Sequence, residues 1–140
     1  MKKYLFPGVA ICLFLCACGN NKKDEATAAK PGTVLANDEM PVVGDTLNKF
    51  KFSVTVKADS DVAKGVYDVS ATWGNNTADS KFTMPKGGES LTPMMRRASK
   101  PNAFIIGFKA GKDTTFNEYF EVSGDKGTIK MMYVKSYSFE

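Results

Sequence analysis

Phe50, Phe52, Val54 and Val56 fall on every second residue, with Lys49, Lys51, Ser53, Thr55 and Lys57 between them. An extended chain alternates its side chains between two faces, so such a stretch buries one face and wets the other. The pattern recurs in Tyr67, Val69, Ala71 and Trp73, set against Asp68, Ser70 and Thr72, and more briefly in Phe82 and Met84 against Lys81 and Thr83. Phe104, Ile106 and Phe108 form a fourth run, in which Ile105 on the other face predicts burial on both sides. Phe116, Phe120 and Val122 mark a fifth, broken by Glu118. The sixth reaches the end of the chain, with Ile129, Met131, Tyr133, Tyr137 and Phe139 on the side of Lys135. No run of about twelve residues, the length a helix needs, carries an apolar stripe at helical spacing.

The punctuation between the runs fits antiparallel strands. Gly74-Asn75-Asn76-Thr77 and Gly124-Asp125-Lys126-Gly127 read as hairpin turns, because Gly and Asn tolerate positive φ. Gly111, Lys112 and Asp113 would close a third hairpin. Residues 85–101 form a longer connection, of the kind that carries a chain from one sheet to another. The predicted architecture is all-β: a small antiparallel two-sheet sandwich of about six or seven strands, immunoglobulin-like or transthyretin-like, over residues 46–140. That length suffices for one core. Trp73 reads as a core plug.

Upstream of the sandwich the chain changes character. Residues 19–45 are poor in large apolar side chains and keep no period of 2 or 3.6, so they cannot bury enough surface to offset their ordering entropy. They are predicted to be a flexible linker, with Val34, Leu35, Val42 and Val43 lying against the domain. Lys2 and Lys3 precede an apolar run over residues 5–15. That run is too short to span a bilayer, which takes about 20 apolar residues; it has the layout of a secretory signal.

The run ends in Leu15, Cys16, Ala17 and Cys18, which resembles the lipobox of bacterial lipoproteins. The resemblance rests on the aliphatic Leu15 and the small Ala17, with Cys16 an unusual middle residue. It implies a signal peptide over residues 1–17, cleavage before Cys18, and lipid attachment at Cys18. The linker over residues 18–45 would then be lipid-anchored. Two or three acyl chains, at about 0.8 kcal/mol per buried CH₂, hold a protein stably to a membrane. Lys23, Asp24 and Glu25 resemble the export signal of Bacteroidota surface lipoproteins, which implies an outer-membrane protein displayed on the cell surface; without that export the domain would face the periplasm.

Composition excludes several functions. All three cysteines, Cys12, Cys16 and Cys18, lie in or beside the signal region, and the chain has no histidine. Zinc, copper and haem sites lean on those residues, so neither metal nor cofactor is expected. Loss of Lys2 and Lys3 with the signal would lower the formal charge from +4 to +2, which is no argument for nucleic acid. A histidine base and a free cysteine nucleophile are both lacking, so no catalytic residue is assigned and an enzyme is not expected. Ser123-Gly124-Asp125-Lys126 matches Ser-x-x-Lys but lies in a predicted turn. Glu118 and Glu121 would point to opposite faces of a regular strand. Asp59-Ser60-Asp61 begins like a calcium loop but lacks the glycine and the closing glutamate.

The segment containing Met94, Met95, Arg96, Arg97 and Lys100 is the most unusual part of the domain, and is predicted to be a surface loop that contacts a partner. Met adapts its shape, and Arg suits flat or anionic surfaces. Together these features predict a non-enzymatic binding or adaptor lipoprotein, attached to the membrane through Cys18, that presents its sandwich to an envelope protein or glycan. The alternative is a structural lipoprotein subunit of a membrane-spanning assembly such as a secretion complex.

Overall fold

A computed structural model of the chain describes residues 29–85, 91–109 and 114–135. Eight strands follow in order: β1 (Val34–Pro41), β2 (Lys51–Ala58), β3 (Val66–Trp73), β4 (Asn76–Thr83), β5 (Thr92–Arg97), β6 (Ala103–Lys109), β7 (Asn117–Asp125) and β8 (Thr128–Tyr133). They build two four-stranded antiparallel sheets, β1-β2-β3-β4 and β5-β6-β7-β8. The sheets pack face to face as a sandwich, with β1 beside β5, and β8 beside β3 and β4. Strand order is sequential in each sheet, so both are plain meanders, and the single crossing between them lies in the β4–β5 connection.

Register puts the apolar alternations in phase. Phe52 faces Trp73, Val54 faces Ala71, and Val56 faces Val69 across β2 and β3. Their side chains meet Phe104, Ile106 and Phe108 of β6 and Phe120 and Val122 of β7 in one core. Each Val, Ile or Phe among them stabilises the fold by about 1.5–3 kcal/mol on burial. Aromatic rings run through it: Tyr67, Phe82 and Phe120 stack in series at 5.4 and 5.2 Å, and Phe52 sits 5.7 Å from both Trp73 and Phe104. Gly124 makes room for the indole, since a Cβ there would stand 2.1 Å from the Trp73 ring. Burial of Ala103 through Phe108 is continuous, as Ile105 had suggested.

Three expectations change. Part of the segment predicted as linker is instead built into the sandwich, because Val34–Pro41 pairs along β2 as an edge strand and Gly32 N–H already bonds Ala58 O at 2.8 Å. Among its side chains only Met40 is buried, so β1 has almost no apolar alternation to betray it. The segment expected to be a loop is largely strand β5: Pro93 is buried and Met95 partly buried, while Thr92, Met94 and Arg96 face outward. Pro93 is tolerated because β5 is an edge strand. The third change is a β-bulge where Ile106 pairs with Phe120 but Gly107 pairs with Glu118, leaving Tyr119 as the extra residue. The bulge accounts for the interruption at Glu118. Gly107 is required here, because a Cβ would stand 2.2 Å from Asn117 O and 2.6 Å from the Phe116 ring. The predicted 111–113 hairpin and Tyr137 and Phe139 of the last run lie outside the described residues.

Tyr119, displaced by the bulge, donates from its hydroxyl to Thr83 O at 2.8 Å, and Thr83 N–H donates to Tyr133 Oη at 3.1 Å. Two tyrosines of one sheet thus occupy backbone groups on the edge of the other, where a free strand invites wrong pairing.

Because the meanders run in step, the β1–β2, β3–β4, β5–β6 and β7–β8 connections gather at one end of the sandwich. Val43 N–H to Asn102 Oδ1 (2.8 Å) and Asn76 Nδ2 to Gly127 O (2.9 Å) tie them together. The chain enters β1 at the opposite end, beside the 3-10 turn Val62–Lys64 between β2 and β3. Eight-residue strands separate the two ends by about 26 Å at about 3.3 Å per residue.

Candidate functional site

The loop end is built around the β1–β2 connection, residues 42–50. Asp45 organises it: Oδ1 accepts from Asn48 N–H at 2.9 Å and Oδ2 from Phe50 N–H at 2.8 Å. Those N–H groups, Phe50 first, hold the Asp45 carboxyl below its ordinary pKa. Val42 N–H closes the loop on Phe50 O at 2.9 Å. The loop so pinned projects Val43 and Leu47 into solvent, 64% and 89% exposed.

Asn102, in the β5–β6 turn, is only 7% exposed and adopts φ 50°, a conformation asparagine tolerates. Its main-chain oxygen accepts from Gly124 N–H at 2.8 Å, and its side-chain Oδ1 from Val43 N–H at 2.8 Å. A backbone N–H can only donate, so the amide orientation is fixed. Its NH₂ group has no partner among the described residues, where no fully buried side-chain nitrogen or oxygen goes unpaired. That group is therefore not sealed in the interior, and Asn102 is one of the residues lining the cleft.

The cleft holds about 680 Å³, within the usual span of ligand sites, about 300–1,000 Å³. Val42, Phe50 and the edge of Trp73 supply its apolar wall, and the Phe50 ring lies flat over Gly74. Asn75, Asn76, Asn102, Asp125 and Lys126 supply polar groups from the three tight turns. Trp73 is 8% exposed, so it is chiefly core and only its margin reaches the cleft.

The residues singled out from sequence lie elsewhere. Met95 packs against the core, and Met94 is 39% exposed on the outer face of β5. Arg97 forks onto Asp38, with Nε and Nη2 both at 3.2 Å from its carboxylate, and Nη2 also donates to Glu39 O at 2.8 Å. It joins the edges of the two sheets, and its guanidinium holds the Asp38 carboxyl below the ordinary value. Arg96 pairs with Glu118 and lies 4.6 Å over the Phe116 ring. Lys100 pairs with Glu121 at 2.5 Å. The bulge at Tyr119 also overturns one expectation: Glu118 and Glu121 do not point to opposite faces but line one shallow cavity of about 510 Å³ with Arg96 and Lys100. Each carboxylate there has a cation beside it.

Asp59 is nearly inaccessible and takes donors from Lys81 Nζ, Ser60 Oγ and Asp61 N–H. Lys81, and then the Asp61 N–H, hold its pKa at about 2. This carboxylate fixes the β2–β3 turn. Cys18, Lys23, Asp24 and Glu25 lie outside the described residues. Sequence reading missed the loop-end cleft because its residues are the same Asn, Asp and Gly that any turn employs. The one signal available was their repetition, with amide or carboxylate side chains at three separate turns. No family model, curated protein or solved structure matches the chain.

Proposed function

We propose that the chain is a lipid-anchored, non-enzymatic binding module of the bacterial cell envelope, held to the outer membrane through acyl chains on Cys18 and presenting the loop end of its sandwich to an envelope protein or glycan. The observation that carries this reading is polarity: the chain enters β1 at one end and the cleft lies at the other. An anchor upstream of β1 would leave the cleft facing away from the lipid. From Cys18 to Gly32, whose N–H bonds Ala58 O, the chain would reach at most about 46 Å at about 3.3 Å per residue, so the domain would stay within that distance of the membrane. Among the described residues no helix is long and apolar enough to cross one, and acylation would supply the attachment.

The reading moves the contact surface from the Met94–Lys100 region to the loop end. The three cations of that region already have carboxylate partners within the chain. Fractionation tests the anchor: wild type should sediment with membranes and Cys18→Ala should appear soluble or unprocessed. Protease added to intact cells should digest the domain if it is displayed outward and spare it if it faces the periplasm. Wild type that stays soluble and carries no acyl group defeats the proposal.

A further inference from the structure

We infer that the loop-end cleft takes one or two residues of a neutral glycan. This deepens the binding-module reading and rests on it.

The first ground is charge. Asp45 lines the cleft, but its carboxylate is committed to the N–H groups of its own loop. Asp125 and Lys126 are adjacent and opposite in sign. Two carboxylates and one ammonium line the cleft, and with both Asp45 oxygens held inside its own loop only the Asp125 and Lys126 side chains offer charge to a ligand, unlike a phosphate or carboxylate site, which gathers Arg or Lys.

The second ground is hydrogen-bonding capacity. Asn102 offers a donor whose direction is fixed by Val43 and Gly124. Asn76 spends a donor on Gly127 O and keeps its carbonyl oxygen as an acceptor. Asn75 adds an exposed amide and Asp125 an exposed carboxylate. Donors and acceptors thus share one opening. A sugar hydroxyl is both donor and acceptor, and vicinal hydroxyls present the two in close succession. A peptide strand in extended form would instead seek a free sheet edge, and the cleft is made of turns.

The third ground is the wall. Phe50 lies flat on Gly74 beside Val42, with the Trp73 margin behind. A pyranose has an apolar C–H face and a polar rim, which matches an aromatic wall with amides around it.

Isothermal titration of the full chain in detergent tests this, using maltohexaose, cellohexaose, xylohexaose and mannohexaose, with hexagalacturonate and a Gly-Ser hexapeptide as charged and peptide comparators. At least one neutral hexasaccharide should saturate the protein, and neither comparator should. Asn102→Asp keeps the acceptor for Val43 N–H and the tolerated φ but removes the NH₂ donor. It should weaken that sugar at least tenfold with the melting temperature nearly unchanged. Asn75→Ala and Asp125→Ala, on exposed turns, should each weaken it severalfold and decide the matter if Asn102→Asp fails to fold. No saturation by any neutral hexasaccharide up to millimolar concentration, preference for a comparator, or affinity indifferent to the variants would overturn the inference. Capture of an envelope protein that depends on the loop end, with no sugar bound, would overturn the glycan while leaving the binding-module reading intact.

Discussion

The outer face of the second sheet and the loop end of the sandwich are both rich in polar side chains, and they use them in opposite ways. On the outer face Arg96 meets Glu118, in the adjoining turn Lys100 meets Glu121, and Arg97 at the sheet edge reaches across to Asp38 of the other sheet. At the loop end neutral amides predominate, and the Asn102 NH₂ finds no partner within the described structure. Conspicuous charge here ties neighbouring strands together and, at Arg97, one sheet to the other, while unremarkable turn residues surround the opening. Ion pairs that satisfy one another leave little attraction for a third party, whereas a fixed donor open to solvent can exchange water for a ligand without breaking a bond inside the protein.

The largest effect should come from breaking the floor beneath the cleft. Gly124→Ala would drive a methyl into the Trp73 ring. It should cost about 3 kcal/mol and lower the melting temperature by about 10 °C or more in thermal denaturation. A smaller loss would mean that the indole can shift, and with it the cleft wall.

Next is the seam. Arg97→Ala should lower the melting temperature by less than Gly124→Ala and leave binding at the loop end unchanged, because Arg97 holds β5 to β1 and does not line the cleft. A double-mutant cycle with Asp38→Ala measures the pair directly. Strict additivity would show that the fork contributes nothing to holding the sheets together.

The Asp59 cluster sharpens the comparison through pH. Its folded pKa of about 2 lies below the ordinary 3.8, so its contribution is complete above about pH 4 and is lost as pH falls toward 2. Asp59→Asn should therefore be less stable than wild type at pH 7, with a deficit that narrows across that interval in chemical denaturation. Lys81 is exposed, so added salt should narrow it further. A deficit independent of pH would assign the effect to the turn's shape and not to its charge.

The smallest effect belongs to the turns. Asn75→Ala should change stability by no more than about 0.5 kcal/mol, since Asn75 is exposed and holds no structural bond among the described residues. A marked loss would make it part of the scaffold and weaken its assignment to the cleft.

Much of the fold was readable in the chain because buried strands repeat with period two. β2, β3 and β6 declare themselves, and Ile105 announces that β6 is covered on both sides. β1 and β5 do not, for one physical reason: each is an edge strand with little to bury, so pairing and not burial makes it a strand. The bulge in β7 was visible only as a flaw at Glu118, and its effect of bringing Glu118 and Glu121 to one cavity could not be deduced from spacing.

By itself, then, the sequence determined what any local pattern can determine: the core alternations, the hairpin turns, and an N-terminal segment resembling a lipobox. Tertiary structure alone decided that two meanders run in step and that their turns meet at one end, far from where the chain enters. It also decided that Asn102 is held beside the cleft with its NH₂ unpaired among the described residues. Those outcomes depend on which strands become neighbours across the sandwich, and residues 59 apart, such as Val43 and Asn102, carry no mark of that meeting in their own stretches of chain.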